Sequence, residues 1–281
     1  MSLCPYCGKP AGILKRYHED CRDKYLRAKE QIPQLFEKLQ HSSIASSRFV
    51  ELLVTAARSA GVPREDLKVL AVDGVLRFIN AILERRLLTS TDEERVLNIL
   101  DALKIPLDSS VSLDSLFLKT QILREMSEGQ VSDRILVEDM TPLKLRGAEI
   151  IVWVFNKTIG YAHEYSNEAE TRRGSIADYY SIEWFSRKAE EPRGERERVY
   201  KGDIVLTNYN IHVLDETMTQ TRVPIARLAE ISPYVNAVSF AFGAKRRRVT
   251  CFVNDPWFLT NAAALLHRNL IVGRAAIEND T

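Results

Sequence analysis

Three cysteines and a histidine lie within the first 21 residues, as Cys4-Pro-Tyr-Cys7-Gly8 and then His18-Glu-Asp-Cys21. The first pair is typical of a tight knuckle, in which Gly8 supplies backbone angles that other residues adopt with difficulty. The second pair, three residues apart, lies on one face of the first turn of a helix. One imidazole and three thiolates complete a tetrahedral Zn²⁺ site and leave no position for a substrate water. Cys4, Cys7, His18 and Cys21 therefore predict a structural zinc site.

Clustered cysteines also occur in disulfide frameworks, which are the alternative here. An odd number of clustered cysteines, a suitably placed histidine and an expected intracellular location argue against disulfides. Structural zinc contributes about 10 kcal/mol or more of binding energy, so residues 1–31 are expected to be ordered by the metal rather than by a core. The arrangement resembles a shortened treble-clef or LIM-type half finger. That resemblance implies a metal and leaves open whether the finger binds nucleic acid or only scaffolds.

Composition excludes a protein that is basic overall. Lysine and arginine number 39 against 38 aspartates and glutamates, so the net charge is +1 and any binding of nucleic acid or anionic lipid must be local. With 45% hydrophobic and 27% charged residues, the chain can bury a core. The most apolar stretch, Ile150–Phe155, is far too short to span a bilayer core of about 30 Å. With no apolar leader at the N-terminus, we expect a soluble, cytoplasmic protein.

Residues 32–130 show helical periodicity and predict a small all-α bundle. Gly61 suits a helix C-cap position, and Thr91-Asp-Glu-Glu94 suits a capping box. Pro33 leaves two alternatives: one helix that continues through the proline with the finger on a stalk, or two helices with the finger packed on the bundle. Asp73-Gly74 and the Thr91–Glu94 helix start also resemble TerB-like helical modules. The apolar positions predicted to face the core are Leu35, Phe36, Leu39, Phe49, Leu52, Leu53, Ala56, Ala60, Leu67, Leu70, Ala71, Phe78, Ile79, Ile82, Val96, Leu97, Leu100, Leu103, Leu113, Leu116, Phe117, Leu123 and Met126.

Beyond Gly129 the apolar period changes to two, which predicts antiparallel strands. Strands are expected at Ile150–Phe155 and Ile176–Phe185, followed from Tyr200 by a meander of short strands. Asn254-Asp255-Pro256 starts a final helix of about four turns, whose Trp257 and Phe258 plug the open end of a half-closed barrel. The fold class is thus α+β, with an N-terminal zinc finger, a small all-α bundle and a C-terminal β-barrel closed by an α-helix. The expected domains are 1–31, 32–130 and 140–272, with a tail at 273–281.

The order of these strands resembles a bacterial pleckstrin-homology (PH-like) or GRAM-like domain over residues 143–270. In that family a strand ending in Thr-Asn is followed by a core strand, an I-P-L-x-x-I strand and a closing helix. The long charged insert Arg187–Arg198 departs from the compact version. The stretches that carry the resemblance are Leu145-Arg-Gly-Ala-Glu149, Gly202-Asp-Ile-Val-Leu-Thr-Asn208, Ile211-His-Val-Leu214, Val223-Pro-Ile225, Leu228–Ile231 and Asp255-Pro-Trp257.

No recognised catalytic motif occurs in the sequence: it lacks a P-loop, a Rossmann glycine fingerprint, a nucleophile elbow and a zinc-protease helix. The pairs His163-Glu164 and His212 with Asp215 fall in predicted strands, where neighbouring residues face opposite sides. His267 is expected to be solvated or at an interface, and Cys251 to be a small hydrophobe in a buried strand. We therefore expect no enzyme.

Lys245-Arg246-Arg247-Arg248 is the sharpest charge feature, at a predicted hairpin next to Gly243. Such a cluster protects an edge strand from aggregation or binds an anion or partner. The expected function is a non-enzymatic adaptor that binds a protein partner through its PH-like domain and zinc module, suited to a bacterial defence or stress system. The alternatives are a nucleic-acid-binding regulator that uses the finger and its basic helix, and an anionic-lipid-binding PH-like protein. The basic residues of that helix region are Lys15, Arg16, Arg22, Lys24, Arg27 and Lys29.

Overall fold

The computed structural model describes residues 2–12, 15–131, 143, 145, 147–163, 198–215, 220–243 and 247–279. The chain divides into two compact units, Met1–Gln121 and Ile122–Thr281. The first contains helices and the N-terminal knuckle, and the second is dominated by an antiparallel sheet, which confirms the α+β class. The predicted strand Ile176–Phe185 and the insert up to residue 197 lie outside the described residues.

Five α-helices and one short 3₁₀ turn follow the knuckle, and the boundary between the units falls inside the fifth helix. No helix in the described part of the chain combines the length and the apolar character that a membrane crossing requires. The helices are α1 (Glu19–Leu39), α2 (Ser46–Ser59), α3 (Arg64–Leu83), α4 (Ser90–Leu103) and α5 (Val111–Ser127), with the 3₁₀ turn at Leu107–Ser109.

Helix α1 continues through Pro33, so one helix forms where two were possible. It packs along α3, and Gly74 of α3 lies directly beneath the fully buried ring of Phe36. A β-carbon at Gly74 would lie 2.2 Å from Phe36 Cδ2, well inside van der Waals contact. The absence of a side chain at Gly74 therefore allows the close approach of the two helices.

The capping box of α4 lies two residues before the predicted one. Thr89, and not Thr91, is the N-cap: its hydroxyl accepts a hydrogen bond from the Asp92 amide, and the Asp92 carboxylate accepts one from the Thr89 amide at 2.8 Å. Arg86 also pairs with Asp92. Burial raises the pKa of Asp92, but the hydrogen bonds from Arg86 and Thr89 outweigh it and lower that pKa overall. The helix starts at the earlier threonine because the Asp92 carboxylate both accepts the hydrogen bond from the Thr89 amide and pairs with Arg86.

Most residues predicted for the helical core are buried, but Leu52 and Leu97 are 45% and 43% exposed. Leu52 precedes the fully buried Leu53, and Leu97 follows the fully buried Val96. Adjacent helical residues point about 100° apart, so a helix that buries one of them turns the other toward solvent. The apolar stripe of both helices is narrower than the sequence predicted.

Within its described residues, the second unit holds seven antiparallel strands in one sheet of order β4-β3-β2-β1-β7-β6-β5. Strand β2 runs through Lys201 and Gly202, so the turn predicted there is wrong: Gly202 pairs with β1 on one side and β3 on the other. The turn predicted at Asn208–Asn210 is present between β2 and β3. The strands are β1 (Ile151–His163), β2 (Arg198–Thr207), β3 (Asn210–Asp215), β4 (Gln220–Pro224), β5 (Leu228–Pro233), β6 (Ala237–Phe242) and β7 (Arg247–Phe252).

The β-barrel predicted for this unit is not seen in closed form: within the described residues, β4 and β5 are the two edges of an open sheet. Only the 3₁₀ turn Ile225–Arg227 separates these edge strands in sequence. That short link keeps the two edges within about 14 Å at this corner, so the sheet is strongly curled. Pro224 ends β4 without an N–H to donate, which disfavours a ladder of hydrogen bonds across the gap.

Helix α6 (Pro256–Asn279) packs on β5, β6 and the 3₁₀ turn, and it is longer than the four turns expected. Asp255 is its cap, since a carboxylate oxygen accepts a hydrogen bond from the Phe258 amide at 3.0 Å. Phe258 is fully buried and meets the ring of Trp153 edge-on at a centroid distance of 5.0 Å. Phe258 thus lies in the core, as predicted, while Trp257 is only partly buried.

Replacing Gly74 by Ala is expected to destabilise the protein by about 1–3 kcal/mol, although alanine is the better helix former. The new methyl group would overlap the Phe36 ring, which is fully buried. Gly273 of α6 is the matched control, because nothing lies within 4 Å of a β-carbon there. Gly273→Ala is expected to stabilise by about 0.5–1 kcal/mol. Urea unfolding followed by circular dichroism measures both, and equal signs for the two variants would contradict this account of the α1–α3 contact.

Candidate metal centre

The N-terminal knuckle is built by main-chain hydrogen bonds around the first cysteine pair. Cys4 donates its amide proton to the Lys9 carbonyl at 2.8 Å, and Gly8 donates to the Cys4 carbonyl at 2.9 Å. Gly8 has φ of 69°, the left-handed conformation that glycine adopts most readily. His18 is the N-cap of α1, so His18 and Cys21 occupy the start of that helix as predicted.

These elements bring the four predicted ligands together. The ligand atoms of Cys4, Cys7, His18 and Cys21 all lie within 4.8 Å of one another. His18 Nδ1 is 3.4 Å from Cys7 Sγ and 3.8 Å from Cys21 Sγ. A tetrahedral ion bonded to sulfur and nitrogen at ordinary distances holds such atoms about 3.5 Å apart. The four residues are therefore close enough to hold a metal ion, with the geometry of a structural site.

The second ring nitrogen of His18 sets its orientation. Nε2 lies 3.1 Å from the Pro10 carbonyl oxygen. A carbonyl oxygen only accepts, so Nε2 carries the proton and Nδ1 presents its lone pair to the thiolates. Metal-bound histidines are commonly oriented by such a partner, which sharpens the ligand geometry.

The thiol environment also suits a cation. Burial raises the pKa of Cys4, but amide donors of His18, Tyr6 and Cys7 outweigh it and bring that pKa to about 6. The pKa of Cys21 is raised by burial and by its proximity to the other two cysteines. Three sulfurs that compete for negative charge at one point are best satisfied by a metal ion, which replaces their protons.

The knuckle packs on the helices through Tyr6, which lies between the first two cysteines. Its ring contacts those of Tyr17 and Tyr25, with centroids 6.3 Å and 4.9 Å away. The Tyr25 hydroxyl donates to Asp66 of α3, and this bond raises the pKa of Tyr25 to about 12. A β-carbon at Gly61 would lie 2.2 Å from the Tyr6 carbonyl oxygen. The finger therefore packs on the bundle even though α1 is one helix, and the only sequence signal for this contact was an aromatic residue inside the knuckle.

The structure places only part of the predicted cationic cluster. Lys245 and Arg246 lie outside the described residues, and Arg247 is the first residue of β7. Arg248 is half-buried and donates to Glu230 of β5 at 2.9 Å and to Ser232 at 3.3 Å. Arg248 thus belongs to a cross-strand ion pair within the sheet.

A buried polar cluster in the second unit was not predicted. Glu149 Oε1 accepts hydrogen bonds from Thr207 Oγ1 at 2.6 Å, Asn210 Nδ2 at 2.8 Å and His212 Nε2 at 2.7 Å. His212 is fully buried, and burial lowers its pKa more than Glu149 raises it. The sequence pattern paired His212 with Asp215, three residues downstream, and missed a carboxylate 63 residues upstream. Glu149 ends the Leu145–Glu149 stretch and Thr207 opens the Thr-Asn turn, so two of the stretches that carry the resemblance meet here.

Two other residues considered for chemistry are buried. His267, expected to be solvated or at an interface, is buried: it is 8% exposed and its Nδ1 lies 2.7 Å from the Ile225 carbonyl oxygen. Cys251 is fully buried in β7, and burial raises its pKa to about 12, as expected for a small apolar residue. His163 ends β1, and Glu164 lies outside the described residues.

Comparison with family models, curated proteins and solved structures gives no match for this chain. The four-ligand cluster and the packing around it are therefore the basis for assigning a function.

Replacing Cys21 by Ser is expected to lower the affinity for the metal more than about 100-fold, since even the loss of an outer hydrogen bond costs about 10–100-fold. Native mass spectrometry of the purified protein should show one metal ion fewer per chain in the variant than in the wild type. Cys251→Ala is the control, because Cys251 is the one cysteine outside the cluster and should leave the ion bound. Equal metal content in both variants would remove Cys21 from the ligand set.

Gly61→Ala is expected to destabilise the protein and to weaken metal binding. Residue 61 has a left-handed backbone conformation, which costs a residue with a side chain about 1–2 kcal/mol. The added β-carbon would also clash with the carbonyl oxygen of Tyr6, which lies between the ligands Cys4 and Cys7 in sequence. Gly129→Ala is the matched control, since Gly129 has φ of 83° but nothing within 4 Å of a β-carbon. A competition assay with a metal chelator should separate the two variants; equal metal affinity would show that the Tyr6 contact does not support the knuckle.

The buried His212 is expected to make the folded protein less stable on acidification. Its folded pKa is lowered, so below about pH 6.5 the unfolded chain takes up a proton that the folded protein does not, at a cost of up to about 1.4 kcal/mol per pH unit. His212→Gln keeps a donor for Glu149 but does not titrate, and it should flatten the pH dependence between about pH 7.5 and 5.5. His41→Gln, an exposed histidine, should leave the wild-type slope unchanged. Urea unfolding midpoints measured across that pH range test this prediction. An unaltered pH dependence of the midpoint in His212→Gln would contradict it.

Proposed function

We propose that this protein is a non-enzymatic adaptor, in which a zinc-stabilised helical module and a PH-like domain bind a protein partner. The observation that carries the proposal is the four-ligand cluster, whose knuckle packs through Tyr6 on α1 and on the loop between α2 and α3. All four ligands come from the chain, so the ion would have no position for a substrate, and it holds the start of α1 in place.

Zinc is the metal that the ligand chemistry favours. Three thiolates and one imidazole select a soft or borderline ion with tetrahedral preference, and Mg²⁺ or Ca²⁺ would require oxygen ligands. When bound, zinc neutralises the thiolates and cross-links the knuckle to α1. Cys4, Cys7, His18 and Cys21 would hold it, and His18 is already oriented by Pro10.

The second unit is proposed to be PH-like. Two meanders, β1–β4 and β5–β7, followed by a C-terminal helix over the sheet, agree with the order of elements that the resemblance implies. The meeting of Glu149 and Thr207 supports it further, because both belong to the stretches that carry the resemblance. In this reading the buried cluster stabilises the fold and does no chemistry.

The charges favour a protein partner over nucleic acid or lipid. Three of the basic residues considered for a nucleic-acid surface are engaged: Lys15 pairs with Glu19, Arg22 bonds Tyr17 and Asp23, and Lys29 lies over the Tyr25 ring. Arg248 pairs with Glu230, which reduces the charge available to an anionic membrane. Such engaged cations bind phosphate groups less strongly than free ones.

Affinity purification of the tagged full-length protein from its native cells, with cross-linking and mass spectrometry, tests the proposal. We expect a protein recovered in near-stoichiometric amount that survives nuclease treatment. A Cys7→Ser/Cys21→Ser variant should recover it at least about tenfold less efficiently, because loss of the metal disorders the start of α1.

Cys251→Ala provides the matched control and should recover the partner as the wild type does. Complexes that disappear with nuclease would support the nucleic-acid alternative instead. Recovery of no partner at all, or turnover of a substrate by the purified protein, would contradict the adaptor function.

A further inference from the structure

Helices α1 and α2 enclose a surface groove of about 640 Å³ in the first unit. It extends along one face of α1 from Lys24 to Lys38 and is bordered on its other side by the last turn of α2. We refer to it as the α1–α2 groove. The residues that line it are Lys24, Arg27, Ala28, Gln31, Ile32, Gln34, Leu35, Lys38, Ala56, Ser59 and Ala60.

The charge of the α1–α2 groove is entirely positive. Lys24, Arg27 and Lys38 are exposed, and none of them is ion-paired with a carboxylate in the described part of the chain. The described residues that line the groove include no acid. These cations contrast with neighbouring Lys15 and Arg22, each of which has an acidic partner. A row of unpaired cations along a groove attracts an anionic occupant.

The floor of the groove is apolar and largely small. Ala28 and Ile32 are buried, and Leu35, Ala56 and Ala60 are half-buried beside them. Alanines allow another backbone to approach closely, since the distance between packed helices depends on the side chains at the contact. An apolar floor with a charged rim is the surface that an amphipathic helix covers.

The same lining argues against nucleic acid in this groove. Single strands are held by bases stacked on aromatic rings, and no aromatic side chain is among the described lining residues. A duplex would satisfy the cations with its phosphates but would leave the apolar floor uncovered.

We propose that the α1–α2 groove binds an acidic amphipathic helix of a partner protein. Its apolar face lies on the alanine-rich floor, and its carboxylates face Lys24, Arg27 and Lys38. The cations span about 21 Å along α1, which matches a partner helix of about 14 residues. The inference rests on the adaptor function proposed above and names the segment that the partner contributes.

The test uses the full-length, metal-loaded protein and a displayed library of helical 16-residue peptides with a varied Ala/Leu face and varied Glu, Asp, Lys and Arg flanks. We expect selection to enrich peptides with acidic flanks on both sides of an apolar face. Fluorescence anisotropy with the enriched peptides gives their affinities. A 20-base-pair DNA duplex and a 20-nucleotide RNA are titrated in parallel.

Two variants of matched charge locate the binding. Arg27→Glu/Lys38→Glu is expected to lower peptide affinity at least about tenfold, since both cations would face carboxylates across the interface. Arg64→Glu/Arg85→Glu changes the net charge equally at exposed positions outside the groove and should leave affinity within about twofold. Ala56→Trp fills the floor without a charge change and should also abolish binding. Metal content and helicity are checked in each variant.

Several outcomes overturn the inference. These are enrichment of basic peptides or of none, equal affinity in the two charge variants, and binding unaffected by Ala56→Trp. Tighter binding of the DNA or RNA that is lost in Arg27→Glu/Lys38→Glu would assign the groove to nucleic acid instead.

The result is distinguishable from failure of the adaptor function. If the cellular partner still binds Arg27→Glu/Lys38→Glu, the adaptor function stands and the groove assignment falls. If cells yield no partner while acidic peptides bind the groove, the adaptor function falls and the groove retains its ligand class.

Discussion

The first unit depends on the convergence of four ligand atoms at one point. Cys4 and Cys7 belong to a knuckle with no core of its own, and His18 and Cys21 belong to the start of α1. A metal ion held by all four residues would join the two, so the same bonds that order the knuckle would also set where α1 begins. Helix α1 then carries the Phe36 contact with α3 and the face that forms the α1–α2 groove.

The second unit is organised by a different interaction. Glu149 is buried at the entrance to β1 and accepts hydrogen bonds from Thr207, Asn210 and His212 on β2, β3 and the turn that joins them. A buried carboxylate is costly unless its oxygens are satisfied, so this arrangement strongly favours one register of the three strands. The curled sheet stays open at its edges, and α6 covers the apolar side through Phe258.

The expectations that agree with the structure concern residues close together in sequence, whereas those that do not agree depend on how distant elements pack. The four ligands, the cap of α6 at Asp255 and the buried position of Cys251 follow from patterns a few residues long, and the structure agrees with them. The α4 cap was misplaced by two residues because Thr89 and Thr91 both suit the motif, and Arg86 favours the arrangement that starts at Thr89. The open edges of the sheet and the burial of His267 could not be predicted in this way, because both depend on how α6 and the sheet edges pack.

The sequence by itself determined the ligand set, the start of α1 and the change from helical to strand periodicity, because ligand spacing and side-chain periodicity are local properties of the backbone. Only the tertiary structure decided that Tyr6 packs on Gly61, that Phe36 packs on Gly74 and that Glu149 meets His212, 63 residues away. Such contacts join residues whose separation carries no periodic signal. Their selection depends on the volume and hydrogen-bonding capacity that remain once all elements pack together.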